Sequence, residues 1–540
     1  MSDRASLNHA RDQPHAFPAQ ASPCDDLAIR AQPAAGIPCR RKRLALGATI
    51  LGSSMAFIDG SVVNVALPAI QTELGASVAA MQWVVNAYLL LLGSLVLVGG
   101  ALGDKLGRRT VFVAGIVLFT AASAACGLAP EPAALIAARA VQGAGAALLV
   151  PSSLAIIGAV FDERERGRAI GTWAGFGAIT SALGPVAGGW LVDAFSWRAI
   201  FYLNVPIAVI TVALALSSIP ASRDESAAQR LDWLGALVAA LGLGLLTYGL
   251  TLASSHGFGD AIVIGMIAGG LALCAAFVAI EARSHDPMMP LDVFHSRDFS
   301  GANLVTLLLY FGLGGALFFL PFTLIRAHGY TATQAGAALL PVPVVIGVLS
   351  RFSGGLAARY GARPLLTVGP VIAAAGFALL ALPGWLDIDR ARYWTSFFPA
   401  LAVLGLGMTI TVAPLTTVVM TSVAAARTGV ASGINNAVAR IASLLAIAVL
   451  GIVFVWSHDA ALSKRFEQLN IPADLQREGQ LAPDVMAGAH AVPAEIVAAQ
   501  SDAIDAGLRA VALVSALCAL LGAACAAATI RGQQKPRGEQ

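Results

Sequence analysis

Residues 100–109 read GALGDKLGRR, and residues 354–363 read GGLAARYGAR. Gly100, Leu102, Gly107 and Arg109 recur as Gly354, Leu356, Gly361 and Arg363, and Lys105 is matched by Arg359. Each copy closes a long apolar block with glycines and a basic cluster. Glycine permits the tight turn that such a junction needs. Outward from this pair, apolar blocks of about 20 residues, the length that crosses a bilayer, recur between residues 44 and 529. Fourteen such spans are predicted, the first copy ending span 2 and the second ending span 10. An offset of eight spans divides the chain into six, two and six. Transporters are commonly built from such duplicated halves, with the substrate site between them near mid-membrane.

The predicted fold is an all-α membrane protein with 14 transmembrane helices: two six-helix halves and an inserted two-helix hairpin. The boundaries expected are a disordered tail at 1–43, a first half at 44–219, an inserted pair with its linkers at 220–298, a second half at 299–530 and a tail at 531–540. The connection 457–504 is long and polar and is read as a solvated loop, with short amphipathic helices over the outer mouth as the alternative. Residues 1–39 show no short apolar stretch with a cleavage site, so no secretory signal is expected there.

Of 540 residues, 57% are hydrophobic and only 12% charged. A soluble chain carries about a quarter charged residues, so lipid rather than a water-surrounded core must absorb the apolar excess. Orientation follows from Lys and Arg. With the N-terminus inside, 23 of the 34 Lys and Arg fall on the cytoplasmic side, 8 outside and 3 within spans. Both termini are therefore expected in the cytoplasm of a cell bounded by this membrane. Trp83, Trp190 and Trp197 fall at outer span ends and read as interfacial anchors. Arg351, near the inner end of span 10, reads as snorkelling to the cytoplasm.

Several classes of function lack support in the residues. Net charge is only +3, and the basic residues are not interleaved with aromatics, so no nucleic-acid surface is indicated. The six cysteines have no metal-ligand spacing, and neither metal nor disulfide is expected. No GxxxxGK[ST] loop is present to cradle a nucleotide, which disfavours an ATP-driven pump. Nothing points to catalysis or to a cofactor.

The loop Gly100, Asp104, Gly107, Arg108 and Arg109 resembles the signature loop of the major facilitator superfamily. Span 1, Phe57-Ile-Asp59-Gly-Ser-Val-Val-Asn64-Val-Ala-Leu-Pro68, resembles the first helix of that superfamily's 14-helix drug:proton antiporter branch (the EmrB/QacA type). Arg139-Ala-Val-Gln142-Gly-Ala-Gly145 in span 4 is similar to the branch's basic motif. Gly184, Pro185, Gly188 and Gly189 in span 5 are similar to the motif associated with antiport, with Thr180 standing where the family usually has glycine. The resemblance covers nearly all of 44–529 and implies a proton-driven exporter without a cofactor. Within this reading Asp104 is expected to face the N-terminus of span 13 near Gly429 and to latch the inner gate. Gly177, Ser181, Gly184 and Gly188 share one helix face, expected to slide against the other half.

An ionisable group inside a span is costly and defaults to function. Asp59 lies about 15 residues from the inner end of span 1 and Arg139 about 6 from the outer end of span 4, roughly 22 Å and 9 Å of rise. In a core of about 30 Å those depths nearly coincide, so Asp59 and Arg139 form the candidate proton-coupling site. A static ion pair is the competing reading. Gln82, Asn86, Tyr88, Gln142, Asn435, Asn436 and Arg440 are candidates to line the substrate path. The expected partners are a small-molecule substrate, protons and lipid, with a periplasmic adaptor as an option and a monomer as the expected state. Nothing in the residues distinguishes an exporter of amphiphilic drugs from an exporter of one metabolite. A transport-inactive receptor is a further alternative, although it has no need of a buried acid.

Overall fold

The computed structural model describes residues 41–222, 232–284, 287–382, 393–424, 427–469 and 494–531. Residues 1–40 and 532–540 of the predicted tails, the centre of the 457–504 connection and the side chain of Arg351 lie outside the described residues. Among the described residues fourteen spans are long and apolar enough to cross a membrane, the sixth over Ala199–Ser218 and the tenth over Ala332–Ser350, and they are built on fourteen main helices. They are α1 Lys42–Leu74, α2 Val78–Leu106, α3 Arg108–Leu128, α4 Pro132–Val160, α5 Glu163–Ala194, α6 Asn204–Ser218, α7 Trp233–His256, α8 Ala261–Arg283, α9 Arg297–Arg326, α10 Pro341–Tyr360, α11 Ala362–Ala381, α12 Phe398–Thr421, α13 Thr428–Gln468 and α14 Ala494–Thr529. A one-turn helix, Ala199–Tyr202, leads into α6. The short helix Ala332–Ala338 leads into α10 and is set off from it by Leu339-Leu340 before Pro341. Proline at the first helical position starts a new helix well, because its missing N–H has no partner there.

The packing of the first six helices repeats in the last six. In the first half α1 packs on α5 and α6, and α4 packs on α2 and α3; correspondingly α9 packs on α13 and α14, and α12 on α10 and α11. The turn after the second helix of each half repeats as well. Gly107 (φ 106°) and Gly361 (φ 80°) both adopt positive φ, which disfavours any side chain. The halves meet along α2 with α13, α5 with the α10 region, and α1 with α9. The inserted α7 and α8 pack on each other, and α7 lies against both α2 and α13. The insertion therefore covers one seam between the halves.

Several expectations are corrected. The 457–504 connection is not simply solvated loop. Helices α13 and α14 extend beyond the predicted spans and bury Leu462 and Phe466 against Ile496, Ala499 and Ala503. Apolar residues at helical spacing on two neighbouring extensions can bury one another, which the low overall hydropathy of this stretch obscures. Trp197 is no interfacial anchor: it is 2% exposed, and its Nε1 donates to Glu73 Oε2 at 2.7 Å.

At the base of the inserted hairpin two acids meet. Asp232 Oδ1 caps α7 through Gly235 N at 2.7 Å, and Glu281 Oε2 accepts from Met289 N at 3.0 Å. Their other oxygens, Asp232 Oδ2 and Glu281 Oε1, are buried and face each other, with no N–H to share between them. Both crowd the point where a Gly235 Cβ would sit, at 2.5 and 2.9 Å. Glu281→Gln supplies an N–H to this space. The substitution is expected to stabilise the protein by about 1 kcal/mol, a net hydrogen bond gained, read as a higher thermal midpoint at pH 8. A lower midpoint overturns this account of the pair. Nearby, Arg427 at the start of α13 pairs with Asp292, and that hydrogen bond holds the Asp292 carboxyl below its usual range.

Candidate functional site

Asp59 sits in the middle of α1, and Arg139 sits two turns into α4. Gln142 follows Arg139 by three residues and therefore shares its face. Arg139 Nη1 donates to Asp59 Oδ2 at 2.5 Å and to Gln142 Oε1 at 2.7 Å. Gln142 Nε2 closes the ring on Asp59 Oδ1 at 2.8 Å. Arg139 Nε donates to Val84 O at 3.0 Å, and its guanidinium lies over the Tyr88 ring, 4.4 Å from the centroid. Asp59 and Arg139 are each 1% exposed. In a buried pair of this kind the remaining polar atoms must also be satisfied, and Gln142 and Val84 do this here.

In front of this cluster lies a cavity of about 780 Å³ between the two halves. Arg139 and Tyr88 line it, as do Asn436 and Arg440 from α13 and Tyr310 from α9. Asp59 is not in the lining, whereas its partner Arg139 is. Other path candidates are elsewhere. Gln82 packs against Gly451, Asn86 is fully buried outside the cavity lining, and Asn435 donates to Asn303 and Thr306 inside the second half. Gln142 serves the acid rather than the cavity surface.

The cavity is closed at the end where α5 finishes. Asp193 accepts from Ala332 N at 3.1 Å, Thr333 N at 2.8 Å and Thr333 Oγ1 at 2.6 Å, so an acid of the first half caps the short helix of the second. Arg326 of α9 reaches back to Pro68 O at 3.1 Å and Thr72 Oγ1 at 2.7 Å. Tyr393 donates to Ala338 O at 2.9 Å, and burial pushes its phenol up to about 12. At the opposite end, which carries the start of α1 and the end of α14, the glycines of α5 and α10 lack the close contacts that Gly189 and Gly336 make. A Cβ on Gly171 or Gly175 of α5, or on Gly347 or Gly355 of α10, would meet nothing within 4 Å. The contacts that join α5 to the second half are thus concentrated at the Asp193 end.

Two predicted gate contacts are made differently. Asp104 does not reach the start of α13; its Oδ1 accepts from Arg108 Nε at 2.9 Å, one turn on. A basic partner on its own backbone outcompetes a distant helix end. Arg108 N and Arg109 Nη1 instead bond to Ser222 O and Ile219 O after α6. The glycine face of α5 is turned to its own half. A Cβ on Gly184 would meet Ser61 Oγ at 2.2 Å, and one on Gly188 would meet Val62 at 1.8 Å. Contact with the other half comes from Pro185 and Gly189, which pack on Gly336 and Ala332. Gly100 lies near Pro151 of α4. Sequence reading missed Asp193 and Arg326 as gate residues. The available signal was Thr331-Ala-Thr-Gln334, a capping box that announces a helix start needing an anion.

The family model of the Major Facilitator Superfamily matches residues 49–447. The chain belongs to this superfamily. Among its relatives is a multidrug resistance protein, Stp, of Mycobacterium tuberculosis, 36% identical over 81% of this chain and 80% of the relative. A tetracenomycin C resistance and export protein of Streptomyces glaucescens is 32% identical over 81% and 80% of the two chains. Among solved structures, an inward-facing, occupied bacterial homologue of the human lysosomal transporter Spinster has a TM-score of 0.64 at 17% identity, covering 91% of this chain and 98% of that one. That likeness concerns the fold. As a member of the superfamily the chain is a multi-pass membrane transporter rather than an enzyme, works without a cofactor, and is related to drug-resistance efflux proteins.

Proposed function

We propose that this transporter is a proton-coupled antiporter that exports amphiphilic drugs or toxic compounds across a bacterial cytoplasmic membrane. The observation that carries the reading is Asp59, buried and paired with Arg139, which lines a cavity shared by both halves. Separating Asp59 from Arg139 takes away the carboxylate's counter-charge, so proton exchange at Asp59 is coupled to the change of state. In the state seen here the pair is closed, and the contacts at the Asp193 end support a cavity open to the face of the chain ends. The Lys and Arg bias supports a cytoplasmic side for that face. Substrate enters there while Asp59 is charged. Opening the Asp193 gate exposes the cavity to the other side, where Asp59 takes up a proton and Arg139 is released.

Reconstituted protein with an imposed pH gradient tests this. A fluorescent amphiphile is expected to move against the proton flow and to stop when a protonophore collapses the gradient. Equal transport with and without the gradient overturns the proposal.

A further inference from the structure

The two charged side chains among the described cavity-lining residues are both arginines, Arg139 and Arg440. Arg139 is balanced by Asp59 at 2.5 Å. Arg440 has no hydrogen bond and no ion pair among the described residues. The cavity therefore carries an uncompensated positive charge in this state. We propose that Arg440 selects the substrate's charge: the cavity takes organic anions, with an apolar body and a carboxylate, sulfonate or phenolate, and disfavours lipophilic cations.

The proposal rests on the reading of this cavity as the substrate site. Arg440 projects from α13 where that helix lies close to α2, its Cβ 3.4 Å from where a Gly93 Cβ would be. Tyr88 and Tyr310 line the same cavity within range of its charge. Asn64 adds an Oδ1 that is buried and unpartnered, and Asn436 adds an amide. The rest of the wall is largely apolar, with Phe57, Trp173 and Phe318 providing flat surfaces. A guanidinium in such a wall is incompletely solvated, and a carboxylate satisfies it in a bidentate pair. A cation placed there meets a like charge through a medium far less screening than water. Asp59 gives no relief, because its oxygens are occupied by Arg139 and Gln142 and it is not in the lining.

Two dyes built on the same xanthene core test this: fluorescein, an anion, and tetramethylrhodamine ethyl ester, a cation. Their binding to the purified full-length protein in neutral detergent is read by fluorescence anisotropy. Wild type is expected to bind fluorescein at least about tenfold more tightly than the cation, as a like-charge penalty in a poorly screened site implies. Arg440→Gln is expected to lose about tenfold in fluorescein affinity, Arg440→Lys to retain most of it, and Arg440→Glu to reverse the preference. Displacement of fluorescein by phosphatidylglycerol and not by phosphatidylcholine identifies a lipid headgroup as a source of the anion; indifference to both identifies a free solute. A wild-type protein that binds the cation as tightly as the anion overturns the proposal, whatever the variants do. So does unchanged fluorescein affinity in a folded Arg440→Gln protein. Binding is measured without a gradient, so a failure of proton-driven transport removes the antiport reading and leaves this result standing.

Discussion

Asp59→Asn is expected to abolish gradient-driven transport, by at least about a hundredfold, because the buried acid paired with Arg139 no longer exchanges a proton. The substitution also leaves the Arg139 charge without a counter-charge in a site that is 1% exposed. Breaking a buried pair from one side costs about 3–5 kcal/mol, so a stability loss accompanies the transport loss. The two effects are separated by the double variant Asp59→Asn with Arg139→Gln. It removes both charges, is expected to recover most of the stability, and is expected to remain dead in transport. A static ion pair that only orients α1 and α4 makes the opposite forecast: the stable double variant transports. Thermal melts and proteoliposome flux on the same preparations decide between them.

Asp193→Ala is expected to shift the protein toward the state open at the other end. Three hydrogen bonds join this carboxylate to Ala332 and Thr333 across the halves. Bonds to a charged acceptor contribute about 1.5–3 kcal/mol each, and their partners regain water when the gate opens. A net loss of about 3 kcal/mol moves the equilibrium about a hundredfold. A reporter cysteine at Ser61, which lines the cavity, reads this directly. In the Asp193→Ala background a membrane-impermeant maleimide applied from the side of Asp193 is expected to label Ser61→Cys at least about tenfold faster than in the parent. Unchanged labelling means that Arg326 and the Gly189 contact hold the gate without Asp193. Asp193→Asn is the conservative control, since it keeps an acceptor and loses the charge.

How much was legible in the sequence differs by residue. Asp59 and Arg139 were readable because a charge in a span has few explanations and helical rise fixes its depth. Their direct contact follows from those depths once α1 and α4 are neighbours. Gln82, Asn86 and Asn435 are not among the residues lining this cavity, and polarity within a span does not say which way a residue faces. In a membrane bundle a buried amide serves a neighbouring helix as readily as a cavity. Asp193 was passed over because an acid at a span end looks like any solvated terminus until a second helix is brought to it.

The sequence by itself determined the fourteen spans, the repeated turn after spans 2 and 10 and the positions of charge within spans. Hydrophobic length, charge bias and a repeated turn are local properties that the bilayer imposes on each segment separately. Tertiary structure alone decided which neighbour each face meets. It turned the α5 glycines toward Ser61 and Val62 of their own half, folded Asp104 back onto Arg108 and left Arg440 facing the cavity. Helical periodicity says which residues share a face. Lipid and protein are nearly equivalent surroundings for an apolar face, so only packing and hydrogen-bond satisfaction select its partner.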